Sequence, residues 1–163
     1  MIYNYCPICG GKLILKDCYD EGKVPFCSND DLFYFDTPKT CVLVAVIKKD
    51  KILLLKQSYT FKNAKVLVAG YVKNGENAEE SVSREVFEET GLVIEDIEYL
   101  GSEPIIHKDI IMLTFKANYK SGDIVKSQEV ESANWYNIKT ALAEMKEDKI
   151  GTKVVEKVMN KYY

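Results

Sequence analysis

The residues most able to do chemistry are three glutamates in the run Arg84-Glu85-Val86-Phe87-Glu88-Glu89-Thr90-Gly91-Leu92. On a helix, which turns about 100° per residue, Glu85, Glu88 and Glu89 lie within about a third of the circumference. Glu85 and Glu89 are four residues apart and repel each other, so the cluster is favourable when a cation lies among the carboxylates. Oxygen ligands with no histidine or thiol nearby favour Mg²⁺ or Mn²⁺ over Zn²⁺. The run therefore predicts a divalent-metal site.

The residues on either side of this run mark the ends of a single helix. Asn77 is the predicted N-cap, and Glu80 completes an approximate capping box. Gly91 is the predicted C-terminal stop. These signals predict a helix of about three turns over 78–90 that carries all three glutamates.

An acidic helix face is usually solvated surface, and two neighbouring features argue against that explanation here. Val82 and Val86 place an apolar stripe beside the acidic one, so one side of the helix is expected to pack against a core. The loop 70–76 leads into the helix with two glycines that free the backbone, and an apolar strand precedes it. A strand, a loop and an acidic helix in this order predict a metal and phosphate site.

Five cysteines, an odd number, provide a second candidate metal site near the N-terminus. Cys6 and Cys9 form a C-x-x-C knuckle, which in a chain without an export signal indicates metal binding before a disulfide. Cys27 and Asp30 repeat the spacing with aspartate in the last place. Cys18 is the alternative fourth ligand, but it lies midway between the knuckles, near the expected tip of the hairpin joining them. Asp30 is preferred because a carboxylate oxygen can bind zinc.

The expected ion is a structural Zn²⁺, because a ribbon of about 35 residues has too little core to be stable without a staple. The alternative is a hairpin that has lost zinc and is held by hydrophobic contacts alone. Zinc ribbons can also bind nucleic acid, but acidic residues dominate this one, so nucleic-acid binding is not expected. The acidic residues are Asp17, Asp20, Glu21, Asp30, Asp31 and Asp36.

Length and composition narrow the class of protein. The 163 residues suffice for one domain and a small appendage, and 47% hydrophobic residues argue against a disordered chain. The net charge of −3 argues against a broad electrostatic affinity for nucleic acid or anionic membranes. The longest apolar run, 42–47, has strand length, and the N-terminus lacks the pattern of a signal peptide. A cytoplasmic protein with no membrane partner is expected.

The elements that must position the two sites follow from the apolar pattern. That pattern predicts strands near 40–48, 51–57, 66–69, 93–101, 110–118 and 133–136, and further helices near 138–147 and 152–162. Strands before and after a central helix, with helices at the end, predict a mixed sheet between helices, an α/β/α sandwich. The expected domains are a zinc-ribbon-like module over 1–38 and an α/β domain over 39–163.

The glutamate run is part of a longer pattern, G-x5-E-x7-R-E-U-x-E-E-x-G-U with U apolar, that resembles the Nudix hydrolase signature at every defined position. Further stretches resemble the zinc-ribbon NADH pyrophosphatases of that family, and the resemblance covers essentially the whole chain. The stretches that carry this resemblance are the knuckle at 6–9, Cys41 in the first strand of the α/β domain, 67–72, 121–125 and 131–136. The resemblance implies the Nudix fold and metal-dependent hydrolysis of a nucleoside diphosphate linked to another moiety.

The resemblance also implies how the carboxylates would share the work. Glu85 and Glu89 would bind Mg²⁺ or Mn²⁺ directly, and Glu88 would bind a second ion or its water. Arg84 would pair with carboxylates such as Glu76 and so hold the loop. The full set of implied metal ligands is the Ala69 carbonyl, Glu85, Glu88, Glu89 and Glu129.

Glu129 is the implied general base, by its place six residues before Trp135. By sequence alone an ordinary loop carboxylate is the alternative. His107 is the only histidine, and as an isolated residue it would be an ordinary loop side chain near the pocket.

Substrate preference follows from a departure within the resemblance. NADH pyrophosphatases carry Ser-Gln-Pro-Trp-Pro-Phe-Pro-x-Ser after the signature, whereas 102–110 here has Ile105 and His107 at the Trp and Phe positions. Ile105 keeps apolar contact with a base but loses stacking geometry, so preference for NADH should weaken among ADP-linked substrates. The substrate-contact candidates are Tyr71, Phe35, Glu103, Ile105 and His107.

Several alternatives stay open. The substrate could be ADP-ribose, a nucleotide sugar or a nucleoside triphosphate in place of NAD(H). A non-enzymatic nucleotide sensor would be expected to lose the signature carboxylates, which this chain keeps. A homodimer is a possible assembly, but the longer N-terminal domain usual in the subfamily does not precede the knuckle, so the dimer architecture of the subfamily is not expected to carry over unchanged.

Overall fold

The computed structural model describes residues 3–57 and 64–163. The chain divides into two compact units, Met1–Pro38 and Lys39–Tyr163. Each unit has its own sheet.

The first unit is a small antiparallel sheet. Its strands are β1 Ile14–Asp17, β2 Lys23–Cys27 and β3 Leu32–Phe33, in the order β1-β2-β3. The β1–β2 hairpin closes through the 3₁₀ turn Tyr19–Glu21. The buried Phe26 packs against the Phe33 ring with centroids 4.8 Å apart. In this unit the described buried apolar residues are Cys6, Val24, Phe26 and Cys27, so its apolar core is small.

In the second unit, the described residues form six strands and three helices. The strands are β4 Lys39–Lys48, β5 Lys51–Lys56, β6 Val68–Tyr71, β7 Val93–Ile105, β8 Ile110–Ser121 and β9 Ser132–Asn137. The helices are α1 Ala78–Thr90, α2 Ile138–Glu144 and α3 Lys149–Tyr162. The 3₁₀ turn Ile106–Lys108 joins β7 to β8.

These strands form one mixed sheet. The order is β7-β8-β4-β5-β9, and β6 pairs with β4 off this path. β4 and β8 run parallel, while the other pairs are antiparallel. The predicted mixed sheet is therefore confirmed.

The helices cover both faces of this sheet. Side chains alternate along a strand, so Val42 and Val44 of β4 join the core beneath α1, whereas Leu43 and Ala45 join the core beneath α2 and α3. Val82 and Val86 of α1 are fully buried in the first core, as the predicted apolar stripe required. The α/β/α sandwich is confirmed.

Helix α1 begins and ends where the capping signals predict. Asn77 Oδ1 accepts a hydrogen bond from the Glu80 amide at 2.8 Å, and Glu80 Oε2 accepts one from the Asn77 amide at 3.0 Å. Gly91 follows in the left-handed region with φ 71°. The helix and its capping box are therefore confirmed.

Other boundaries shift for tertiary reasons. β6 starts at Val68, two residues later than predicted, because its ladder with β4 runs from Val68 to Tyr71. α2 ends at Glu144, and Asp148 then caps α3 by accepting a hydrogen bond from the Gly151 amide at 2.9 Å. No helix within the described ranges is long and apolar enough to cross a membrane.

Candidate active site

Helix α1 places its acidic face against the backbone of β6. A Cβ built on Gly70 would overlap the Glu85 carboxyl group, so the carboxylate occupies space that only glycine leaves open. Gly70 pairs with Val42 on the α1 side of the sheet. The carboxylate of Glu85 therefore lies beside the peptide unit that includes the Ala69 carbonyl, the backbone ligand implied by the resemblance.

Arg84 links the loop to the acidic helix face. Its guanidinium contacts both carboxylate oxygens of Glu76, and Nη1 lies 2.7 Å from Glu85 Oε1 and 2.8 Å from Glu88 Oε2. Nη2 also donates to the Tyr71 carbonyl at 2.9 Å. The hydrogen bond from Arg84 lowers the pKa of Glu76 to about 2. Arg84 therefore ties the loop to the helix through Glu76.

Glu89 is the buried member of the cluster, with 5% of its surface exposed. Its Oε1 accepts a hydrogen bond from Gln57 Nε2 at 2.8 Å, whereas the buried Oε2 has no hydrogen-bond partner among the described residues. Burial, followed by the charges of Glu85, Glu129 and Glu88, raises the pKa of Glu89 to about 8. An unsatisfied buried carboxylate oxygen is costly unless it has a partner, so these residues fit a divalent cation.

Glu129 lies on the loop between β8 and β9, and this loop runs along the C-terminal end of α1. The Val125 amide donates to the Thr90 carbonyl at 2.9 Å, and the Ser127 amide donates to the Glu89 carbonyl at 3.1 Å. The Glu129 side chain is exposed, and its negative charge raises the pKa of Glu89. The structure therefore brings the exposed Glu129 carboxylate near enough to Glu89 for their charges to interact, and its role as a base stays a prediction.

Three of the substrate-contact candidates lie at one end of the sheet. Tyr71, at the end of β6, is 53% exposed, and Lys39 Nζ lies 5.9 Å from its ring centroid. β8 runs parallel to β4, with Ile110 beside Lys39, so the turn carrying Ile105 and His107 is at the same end. This end of the sheet is also where Arg84 donates to the Tyr71 carbonyl.

One candidate, Glu103, is not brought to the carboxylates. Glu103 lies 2.9 Å from Lys153 Nζ and 3.6 Å from Lys157 Nζ, both on α3. It is therefore on the sheet face opposite α1. Phe35 belongs to the first unit, where its ring packs against Phe33. A role in substrate contact for either residue stays a prediction.

The contact between Gly70 and Glu85 gives a test of this geometry. Gly70→Ala should leave the fold intact, because the overlapped group is the flexible end of Glu85 and Gly70 does not have a positive φ. The displaced carboxylate should lower turnover by roughly 10- to 100-fold, since a shift of about 1 Å at a reacting centre has that effect. Steady-state kinetics measure the turnover of the variant, and circular dichroism shows whether its fold is intact. Wild-type kinetics in a folded variant would contradict the placement of Glu85.

The predicted zinc ligands of the first unit also come together. The ligand atoms of Cys6, Cys9, Cys27 and Asp30 all lie within 4.8 Å of one another. Asp30 Oδ2 is 3.0 Å from Cys6 Sγ and 3.1 Å from Cys27 Sγ, and Cys9 Sγ is 3.5 Å from Cys27 Sγ. Three thiols and a carboxylate are donor types that structural zinc accepts. The donor set fits Zn²⁺.

The surroundings act on these ligands in different directions, because burial raises the pKa of the Cys27 thiol to about 11 whereas hydrogen bonds lower the pKa of Asp30. The amides of Ile8 and Cys9 donate to Cys6 Sγ at 3.3 and 3.5 Å. Hydrogen bonds from the thiols of Cys9, Cys6 and Cys27 lower the pKa of Asp30. Cys18 instead precedes the 3₁₀ turn at the tip of the β1–β2 hairpin, outside this group of ligands.

Sequence reasoning missed two residues near the acidic cluster. Lys73 Nζ lies 3.3 Å from Glu88 Oε1, and Gln57 donates to Glu89. The only sequence signal for Gln57 is that it is a polar residue directly after the apolar strand 51–56, which is weak evidence for a role in a site. Its 6% exposure and its partner depend on how β5 packs against α1.

Comparison with known proteins agrees with this fold and signature. The NUDIX domain family model matches residues 37–157, nearly three quarters of the chain. The chain therefore belongs to the Nudix hydrolase family, and the resemblance read from the sequence is confirmed.

The chain is also similar in sequence to individual proteins of known name. The chain is 35% identical over 133 residues to the NAD-capped RNA hydrolase NudC of Photobacterium profundum, covering 81% of this chain and 49% of that protein. It is 33% identical over 136 residues to NudC of Vibrio cholerae serotype O1, covering 83% of this chain and 49% of the relative. The chain spans about half the length of these relatives.

A solved structure supports the fold across the whole chain. The crystal structure of a NUDIX hydrolase from Nitrosomonas europaea has a TM-score of 0.82 with 20% identity, covering 98% of this chain and 92% of that one. At this identity the likeness concerns the fold alone.

Proposed function

We propose that this protein is a divalent-metal-dependent pyrophosphohydrolase that cleaves the diphosphate of a nucleoside diphosphate linked to another moiety. The observation that carries the proposal is the Glu89 carboxylate, buried beside Glu85 with its Oε2 unpartnered among the described residues. A binding cation would remove the cost of that buried charge.

Each residue of the cluster has a distinct part in this proposal. Glu85 and Glu89 would hold Mg²⁺ or Mn²⁺, and Glu88 would contact a second ion. When bound, the cation would neutralise charge on the phosphate oxygens and lower the pKa of a bound water. Arg84 keeps the loop on the helix through Glu76, and the exposed Glu129 would accept a proton.

The proposed substrates are NAD(H)-type and other ADP-linked compounds. Support comes from the relatives named NAD-capped RNA hydrolases and from Tyr71, whose exposed ring offers a stacking surface near the cluster. An NAD-capped RNA contains the same diphosphate. ADP-ribose, nucleotide sugars and nucleoside triphosphates are the alternative substrates, and each would be cleaved by the same hydrolysis of a phosphoric anhydride.

Specificity can be measured directly. With Ile105 and His107 in place of two aromatic residues, we expect kcat/KM for NADH and ADP-ribose to differ by less than about a hundredfold, since one stacking contact gives roughly 1 to 3 kcal/mol. A panel of NADH, NAD, ADP-ribose, diadenosine polyphosphates, UDP-sugars, nucleoside triphosphates and an NAD-capped RNA, with Mg²⁺ or Mn²⁺, decides it. A larger preference for NADH would place recognition outside 102–110.

The same panel tests the sensor alternative. A protein that binds nucleotides without cleaving them would give nucleotide-dependent stabilisation and no product with either metal. Product from any diphosphate in the panel, lost on chelation, supports the proposed function.

A further inference from the structure

We propose that Gln57 is a positioning residue that orients the Glu89 carboxylate for a divalent cation without cancelling its negative charge. The inference rests on the proposed function, since it concerns the same metal site. Gln57 directly follows β5 in the chain, and its side chain reaches Glu89 on α1.

The geometry assigns different tasks to the two oxygens of Glu89. Gln57 Nε2 donates to Oε1 at 2.8 Å, and both side chains are buried, with 6% and 5% exposure. Oε2 is buried and has no hydrogen-bond partner within the described part of the chain. One oxygen is therefore held in place while the other is left for a ligand.

The neutral donor distinguishes Glu89 from the other carboxylates of the cluster. Glu76, Glu85 and Glu88 each contact the Arg84 guanidinium, which offsets their charge. Glu89 contacts no lysine or arginine in the ranges that the structure describes. An amide fixes an anion by hydrogen bonding and leaves its full charge for a cation, whereas a basic side chain at this place would compete with the metal.

The test measures Mn²⁺ affinity of the protein alone by electron paramagnetic resonance, with no substrate present. Gln57→Met removes the donor and nearly keeps the volume. We expect it to weaken Mn²⁺ binding by about 10- to 100-fold, the usual effect of losing a hydrogen bond to a metal ligand. Gln128→Met, at the chain's other glutamine, which is exposed, should bind Mn²⁺ as the wild type does.

A double-mutant cycle separates positioning from packing. If Gln57 acts through Glu89, then Gln57→Met should change Mn²⁺ affinity less than about twofold in a Glu89→Gln background. A packing role would instead weaken binding equally in both backgrounds. High Mg²⁺ should also restore the turnover of Gln57→Met toward wild type, because the carboxylate is still present, and should not restore Glu89→Gln.

A second variant keeps the inference falsifiable if Gln57→Met fails to fold. Gln57→Lys supplies a donor whose charge pairs with Glu89, so it should fold but bind Mn²⁺ at least about tenfold more weakly than wild type. Wild-type Mn²⁺ affinity in either folded variant, or multiplicative effects in the cycle, would overturn the inference. Failure of the wild type itself to bind Mn²⁺ or cleave any diphosphate would overturn the proposed function instead.

Discussion

Glu89→Gln should lower turnover by a factor of roughly 10² to 10⁴ while leaving the fold intact. The expected loss is that of a charged metal ligand at a reacting centre. The fold should survive because the glutamine has the same shape and can still accept the hydrogen bond from Gln57. Steady-state kinetics at saturating Mg²⁺ measure the effect, and wild-type activity there would show that Glu89 does not bind the metal.

Although Glu89→Gln should lower turnover, it should raise the stability of the protein when no metal is present. In the folded protein, burial raises the pKa of Glu89 from 4.5 to about 8. Between these values the unfolded chain has released a proton that the folded state retains, so metal-free wild type loses stability as pH rises through this interval. The variant lacks this penalty and should be more stable by roughly 1 to 3 kcal/mol near pH 8, with little difference near pH 5.

Glu79→Gln is the matched control, because Glu79 is an exposed residue in the first turn of the same helix. It makes the same change of charge outside the cluster and should alter neither turnover nor the pH dependence of stability beyond a few tenths of a kcal/mol. Chemical unfolding in the presence of a chelator, at both pH values, makes the comparison. A Glu89→Gln variant that is less stable than wild type at the higher pH would refute the buried, unpaired charge.

The second large effect is expected in the first unit. The protein should carry one zinc per chain, and Cys6→Ser should abolish zinc binding and unfold this unit. Apparent binding energies of structural zinc, about 10 to 16 kcal/mol in small domains, exceed what a core of a few buried side chains supplies. Elemental analysis after metal depletion and reconstitution measures zinc, and limited proteolysis with mass spectrometry shows whether cleavage falls within 3–38.

Cys18→Ser is the matched control, since it changes the same residue type at the hairpin tip, away from the ligand group. It should retain one zinc and resist proteolysis as the wild type does. Zinc lost in this variant would make Cys18 the fourth ligand in place of Asp30. Zinc bound equally well after Cys6→Ser, or found in neither protein, would remove the metal from the first unit.

Features that depend on local spacing could be predicted from the amino-acid sequence alone. Helix α1 follows from Asn77, Glu80 and Gly91, because capping hydrogen bonds and a left-handed terminal residue are made within a few residues of the chain. The acidic face follows from helical periodicity, and the zinc-ligand candidates follow from two knuckles of identical spacing. The alternating strands and helices were enough to predict the α/β/α sandwich.

Contacts between residues that are distant in sequence depend on the packing of the folded chain. This packing buried Glu89 and placed Gln57 on one of its oxygens, 32 positions away in sequence. It set Glu85 against Gly70, brought the loop of Glu129 along the end of α1, and turned Glu103 toward the lysines of α3. Sequence periodicity shows which face of a strand or helix is apolar, but strand order and register determine what that face contacts. The pKa of Glu89 depends on those contacts, and so does its capacity to bind a cation.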